Sequence, residues 1–279
     1  MATQTIQDIF ANLVPDEKKL TRLQGEADAK VNYLIGMTPR SGSSHLCDVL
    51  KNGKLMGRPG EMLSREFLPG ILPNVPGRTP DEYLTHVLRA LRSPNGISGI
   101  KASWFQFKEF REAMADPDAL LKLRFIYLIR RDVAAQAVSL YRATQTTVFH
   151  TNIEHSAEAL ARLDKLEYDY DMIRLWRNHI VNQEIGWQKF FAEHKIFPLC
   201  IHYEDIDDDV VEVAHRIAAF IGRPRAARDC VADASVFKKI SSRKNIEWAA
   251  RFTLEFDAEQ RKREAAKAPP VAVLSTRPG

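Results

Sequence analysis

Cysteine is scarce in this chain, and neither its cysteines nor its histidines follow a pattern typical of a disulfide framework or a metal site. The three cysteines, Cys47, Cys200 and Cys230, are far apart and odd in number, which favours buried thiols in a reducing compartment. The eight histidines show no HExxH motif and no paired spacing of the kind that binds zinc. We therefore expect no metal site.

Long apolar runs and blocks of like charge are also missing. No segment approaches the ~20 apolar residues that a membrane-spanning helix needs, and residues 1–30 are polar and unlike a signal peptide. We expect a cytoplasmic protein, which could still associate with the inner face of a membrane. The formal net charge is +4, but the cations are scattered, so nucleic acid is a poor candidate partner and a small anionic ligand fits equally well.

The most informative segment that is present runs from Tyr33 to Leu50. An apolar strand pattern enters a Gly/Ser turn, and helical spacing follows. Such a turn points free backbone N–H groups and the positive end of the helix dipole at one place, where phosphate is the usual ligand. It is not a Walker A motif, because five residues separate Gly36 from Gly42 and the cation Arg40 lies inside the turn. We expect phosphate to be bound by Arg40, Ser41, Gly42, Ser43 and Ser44.

Strand and helix patterns alternate along the rest of the chain. Strands are predicted over 31–36, 97–102, 123–129 and 196–203, and helices over 81–91, from Asp132 onward, 154–194 and 207–221. This alternation predicts a single α/β domain with a P-loop-like, doubly wound, mainly parallel sheet flanked by helices. We assign the domain to 31–264, a helical extension outside the core to 1–30, with helices over 6–14 and 16–24, and a disordered tail to 265–279.

Two cations follow the ends of predicted strands, where ligands bind in doubly wound sheets. Lys101 lies near the end of the second strand and Arg130 directly after the third. If Asp132 caps the next helix, Ser139 and Arg142 share one polar stripe of it. Together with Arg130 they form a plausible second phosphate site, although a solvated helix face would give the same pattern.

Two further segments leave alternatives open. The basic segment Ser241-Ser242-Arg243-Lys244-Asn245 is either a flap over a phosphate or an ordinary surface loop. Glu61 lies in a Gly/Pro-rich loop from Gly53 to Pro80, where a carboxylate could accept a proton from a substrate hydroxyl. Glu66 is a nearby competitor for that role, and a surface carboxylate is the simpler interpretation of either residue.

In combination and order, these segments resemble sulfotransferases that use 3′-phosphoadenosine 5′-phosphosulfate (PAPS). In that superfamily, a Lys or Arg followed by Ser-Gly and two hydroxyl residues binds the 5′-phosphosulfate, as in 40–44 of this chain. Arg130 and Ser139 match the pair that binds the 3′-phosphate, an interaction to which Arg142 could contribute. Arg243 and Lys244 match a C-terminal basic segment that closes on the nucleotide.

The resemblance is closest to bacterial trehalose sulfotransferases and to related enzymes that sulfate lipopolysaccharide or nodulation oligosaccharides. It spans Tyr33 to Trp248 and includes the segments 57–61, 95–101 and 130–146. It implies sulfuryl transfer from PAPS to a hydroxyl of a carbohydrate or glycolipid acceptor, without a metal, in a protein that forms a homodimer.

The same resemblance assigns residue roles. Glu61 is the general base for in-line attack, Arg40 stabilises the leaving 5′-phosphate, and Lys101 faces the reacting centre. Arg58 and Arg131 replace an acidic residue and a proline of the trehalose enzymes, so the acceptor need not be trehalose. An ATP-dependent P-loop-type kinase and a nucleotide-binding protein without catalysis are the alternatives.

Overall fold

The computed structural model of the protein describes residues 4–146, 157–232 and 243–267. Four strands in these ranges form one sheet: β1 (Val31–Met37), β2 (Ile97–Ser103), β3 (Arg124–Ile129) and β4 (Leu199–His202). Their order is β2-β1-β3-β4, and every neighbouring pair is parallel. The predicted α/β class is therefore confirmed, with all four strand positions found and the last strand shorter than expected.

Eleven α-helices accompany the sheet in the same ranges. They are α1 (Ile6–Ala11), α2 (Glu17–Gly25), α3 (Ser43–Asn52), α4 (Leu68–Ile71), α5 (Pro80–Ala90), α6 (Trp104–Ala113), α7 (Val133–Thr146), α8 (Ala157–Lys165), α9 (Tyr170–Glu193), α10 (Tyr203–Phe220) and α11 (Arg243–Lys267). Two 3₁₀ helices cover Pro117–Lys122 and Pro224–Ala227. None of the helices described is long and apolar enough to cross a membrane.

Helices pack on both faces of the sheet, as the strand composition requires. Leu34 of β1 and Phe125 of β3 belong to a core with α1, α5, α6 and α9, whereas Ile35 and Ile126 belong to a core with α3 and α10. Successive strand residues point to opposite faces, so apolar runs such as RFIYLI fill both cores. This double packing fixes the carboxyl ends of the strands, where the site lies.

A third apolar cluster joins α7, α9 and α11. Trp248 and Phe252 of α11 pack with Ala137 and Tyr141 of α7 and with Ile173 of α9. The first turn of α11 is thereby held beside α7. Residues 243–245, which we expected in a basic loop, are instead the first helical turn.

The N-terminal helices are where predicted, but the expectation that they lie outside the core is wrong. Ile6, Ile9 and Phe10 are buried in the first core cluster, and Phe10 packs edge-on against Tyr83 of α5. The apolar residues of α1 recur at helical spacing and form one face, which has to be buried against a partner.

Two other boundaries differ from the prediction. The single helix predicted over 154–194 is divided into α8 and α9, because Asp169 caps a new helix by accepting a hydrogen bond from the backbone N–H of Met172 (3.0 Å); its first residues, 154–156, are outside the described ranges. At the other end of the chain, α11 continues to Lys267, into the segment 265–279 predicted as a tail, and residues beyond Lys267 are likewise not described.

Candidate active site

The turn between β1 and α3 has the geometry of an anion-binding loop and is called the anion-binding loop below. Gly42, at the N-cap of α3, has φ = 80° and provides no side-chain cap, so the first N–H groups of the helix have no acceptor from the cap or the helix itself. A Cβ on Gly42 would lie 2.9 Å from the ring of Tyr203. Both the left-handed backbone and the close contact therefore require glycine here.

Two arginines meet at this loop. Arg40 (φ = 65°) donates from Nε to the Ser139 hydroxyl (3.0 Å), and Arg130 donates from Nη1 to the Arg40 carbonyl (3.4 Å). The Arg130 guanidinium stacks on Tyr203, 4.3 Å from the ring centroid, and its Nε is buried without a hydrogen-bond partner among the described residues. Burial, and then the charge of Arg130, lower the pKa of Arg40. Two cations so close together favour an anion between or beside them.

Hydrogen bonds from Gln136 of α7 and from Ser41 of the loop itself hold the loop in place. Gln136 donates to the Thr38 hydroxyl (2.8 Å) and to the Pro39 carbonyl (2.7 Å), and the Ser41 hydroxyl donates to the Thr38 carbonyl (2.7 Å). Because Ser41 is fully buried and its hydroxyl donates to that carbonyl, this residue stabilises the turn rather than offering its side chain to a ligand.

Glu61 and Lys101 lie on the opposite side of α3's N-terminus and contact each other. Lys101 Nζ is 3.1 Å from Glu61 Oε1 and donates to the Ser44 hydroxyl at 3.0 Å. The other carboxylate oxygen accepts from Gln106 Nε2 at 3.0 Å. Lys101 is buried, whereas Glu61 is 26% exposed, so the carboxylate is held in place yet open to a substrate. The competitor Glu66 is exposed in the turn before α4.

Backbone contacts with β2 bring the Glu61 segment to this position. The N–H of Lys101 donates to the Gly60 carbonyl (2.9 Å), and Glu61 forms a parallel bridge with Lys101. At Gly57, where φ is 77°, a Cβ would lie 3.0 Å from the backbone N of Gly99. The glycine lets the loop lie directly on the strand.

A second basic group lies at the contact between α7 and α11. Arg142 donates to the Asn245 side chain, and Lys244 donates to the Leu166 carbonyl (2.7 Å) with its ammonium 5.0 Å from the Trp248 ring centroid. Arg243 is not brought to this group, because its side chain is 92% exposed and pairs with Glu247.

Of the predicted site residues, the structure therefore brings together Arg40, Gly42, Arg130 and Ser139 at one cluster and Ser44, Glu61 and Lys101 at another. Ser43 is buried in the first turn of α3. Ser241 and Ser242 are outside the described ranges.

Three residues that hold the site were not predicted. Gln106 had a detectable signal, because Ser103 and Gln106 form the S-x-x-Q spacing of a capping box. Gln136 and Tyr203 have no local sequence signal, because their contacts are with residues far away in the chain. Gln136 contacts Thr38, 98 positions earlier, and Tyr203 contacts Gly42.

Comparison with known proteins decides the family. The family model described as Stf0 sulphotransferase matches residues 32–255. The chain belongs to the Stf0 sulphotransferase family. This Stf0 sulphotransferase is 27% identical over 263 residues to the trehalose 2-sulfotransferase of Mycobacterium tuberculosis (strain Erdman), covering 80% of the present chain and 94% of the relative. It is 25% identical over 267 residues to the trehalose 2-sulfotransferase of Mycolicibacterium smegmatis, covering 81% and 96%.

Membership of this family makes the protein a sulfotransferase enzyme, which replaces the kinase alternative. The match includes both residue clusters described above. In the described part of this Stf0 sulphotransferase, no group of three or more His, Cys, Asp or Glu residues is arranged to hold a metal ion.

Proposed function

We propose that the protein transfers the sulfuryl group of PAPS to a hydroxyl of a carbohydrate or glycolipid acceptor by in-line attack, with Glu61 as the general base. One observation carries this proposal: the Glu61 carboxylate is linked through Lys101 to Ser44, at the N-terminus of the helix that follows the anion-binding loop. The trehalose 2-sulfotransferase relatives support a carbohydrate acceptor.

The residues present fit the donor. The uncapped N-terminus of α3 and Arg40 suit the 5′-phosphosulfate. Arg130, whose buried Nε has no hydrogen-bond partner in the part of the chain that the structure describes, and Ser139 suit the 3′-phosphate. Arg142 lies further along α7, and Lys244 is in the first turn of α11. The direct contact between Arg40 and Ser139 supports two adjacent phosphate sites, as expected for 5′- and 3′-phosphates carried by one ribose.

The donor supplies a sulfuryl group on a phosphate leaving group, and the protein's residues act on charges and protons around it. Glu61 accepts the proton of the acceptor hydroxyl as the oxygen attacks sulfur. Lys101 compensates the carboxylate charge and faces the transferring group. Arg40 and the α3 N-terminus stabilise negative charge on the departing 5′-phosphate. A sulfuryl group bears little charge, so positioning and cationic side chains suffice for this reaction.

The test compares Glu61→Gln with Glu66→Gln, an exposed carboxylate of the same loop. Transfer from radiolabelled PAPS to trehalose and other glycosides is measured, and calorimetry gives the affinity for adenosine 3′,5′-bisphosphate. We expect Glu61→Gln to lower kcat by about 10² to 10⁴ with nucleotide affinity unchanged, and Glu66→Gln to behave as wild type. Arg130→Ala should weaken the binding of adenosine 3′,5′-bisphosphate.

Three outcomes would contradict parts of the proposal. Full activity of Glu61→Gln would remove the base assignment. Tighter binding of ADP than of adenosine 3′,5′-bisphosphate would refute the assignment of PAPS as the donor. Binding of the bisphosphate without sulfate transfer to any carbohydrate, alcohol or phenol would favour the non-catalytic alternative. The homodimer and the cytoplasmic location stay predictions.

A further inference from the structure

Helix α9 extends past the sheet on the side of the active site. Phe190 contacts Phe125 near the start of β3 (centroids 5.7 Å apart), whereas Trp187 donates from Nε1 to the carbonyl of Met37 at the end of β1 (3.4 Å). The helix therefore runs antiparallel to the strands. Gln183, one turn before Trp187, lies about 6 Å further along the helix axis, in the direction of the carboxyl ends of the strands, where ligands bind in sheets of this kind.

Gln183 is an unusual residue for that position. Its side chain is 1% exposed, and neither amide atom has a hydrogen-bond partner within the described ranges. The same face of α9 is pressed against the start of α6, because a Cβ on Gly186 would lie 2.2 Å from Trp104 Nε1. A buried amide without partners destabilises a fold, so its presence calls for an explanation such as a ligand.

Aromatic side chains continue the same surface. His179 lies 5.2 Å from Phe105 and 5.4 Å from Trp176, measured between ring centroids. Phe105 is 43% exposed, and the indole N–H of Trp176 is buried with no hydrogen-bond partner in 4–146, 157–232 or 243–267. Phe105 directly precedes Gln106, which holds the Glu61 carboxylate. The aromatic surface therefore begins on α6, the helix that also carries the side chain holding the proposed base.

We propose that Phe105, Trp176, His179 and Gln183 form an acceptor subsite that binds a pyranose ring of the substrate. Aromatic faces pack against the C–H face of a sugar ring, while an indole N–H and a side-chain amide pair with its hydroxyls; sites of this type are apolar with a few placed polar groups. The inference rests on the proposed function and names the side chains that would determine how its carbohydrate acceptor is bound.

The decisive variant is Gln183→Met, which keeps the side-chain volume and removes the amide. If the amide serves the acceptor, the KM for the best glycoside in a panel that includes trehalose should rise about tenfold or more, with the KM for PAPS unchanged. The melting temperature should stay constant or rise, because a buried unpaired polar group is lost. A residue with a purely structural role would instead lower it. Asn182→Met, at the exposed neighbouring position of α9, is the control.

Phe105→Leu tests the aromatic half of the subsite against Phe197→Leu, an exposed phenylalanine just before β4 at the opposite edge of the sheet. We expect a raised acceptor KM only for Phe105→Leu. The inference is overturned if Gln183→Met and Phe105→Leu both leave the acceptor KM within about twofold of wild type. That result leaves sulfate transfer itself intact, whereas a wild type that sulfates no carbohydrate refutes the proposed function first.

Discussion

The substitution Gln106→Glu changes the surroundings of Glu61, the proposed base, without removing any side chain from the site. The Gln106 side chain accepts from the Ser103 N–H (2.9 Å) and donates to Glu61 (3.0 Å). Glutamate retains the first hydrogen bond and is favoured at this helix position, so α6 should be as stable as before. The contact between residue 106 and Glu61 becomes a pair of adjacent carboxylates.

The size of the effect follows from that distance. At the 3.0 Å separation of Gln106 Nε2 from Glu61, Coulomb's law gives about 1.4 kcal/mol in water and about 5.5 kcal/mol at an effective dielectric constant of about 20. Because Glu61 is 26% exposed, water screens part of this repulsion. We expect a net repulsion of about 1.5 to 3 kcal/mol between the two carboxylates, equivalent to about one to two pH units.

The assay is the pH dependence of kcat/KM. Two adjacent carboxylates retain a shared proton to higher pH, so the acidic limb of the profile should move upward by about one to two units. Activity lost near neutral pH should return as the pH is raised. Gln106→Ala, which removes both hydrogen bonds without adding charge, should lower activity and melting temperature but leave the limb in place.

A Gln106→Glu enzyme with an unchanged profile and wild-type activity would refute the reasoning. It would mean either that Gln106 does not hold Glu61 in the working enzyme or that no titrating carboxylate acts there. The double variant Glu61→Gln/Gln106→Glu exchanges the two groups and restores an amide–carboxylate pair. Its melting temperature should rise above that of Gln106→Glu because the carboxylate repulsion is relieved, but its activity should not return.

Two other predictions concern stability. Gly42→Ala forces a side chain into a left-handed conformation and against Tyr203, which should cost about 2 kcal/mol and lower the melting temperature by about 4 to 8 °C; an unchanged value would argue against this loop geometry. Burial lowers the pKa of His45 and of His179, so the unfolded chain binds more protons as the pH falls below 6.5. Stability should decline in that window, and His45→Gln with His179→Gln should flatten the decline in denaturation curves.

The features predictable from the sequence were those with a local cause. The strands are apolar runs buried on both faces, and the anion-binding loop is a contiguous Gly/Ser turn between a strand and a helix. Asp132 likewise caps α7 as expected, accepting from the Ala135 N–H (2.8 Å). Each of these signals lies within a few residues of the structure it determines.

Features that depend on distant contacts were missed or misplaced. Nothing in the 53–80 segment indicates that Glu61 pairs with Lys101 on β2. The helix α11 was not predicted, because its buried stripe is narrow, comprising chiefly Trp248, Ala249 and Phe252 among charged residues. Arg243 was assigned by its neighbours in sequence, whereas helix geometry turns it towards solvent.

The backbone bond between Gly60 and Lys101 separates the two tasks of the loop between β1 and β2. Residues up to Glu61 are joined to β2, at the edge of the described sheet, so the proposed base is positioned by the sheet. The following stretch, 62–79, is held differently, because Leu63, Leu68 and Leu72 anchor it in the core. Substitutions at its exposed positions can therefore change the surface of this loop without moving Glu61, since loop surfaces tolerate variation that the sheet does not.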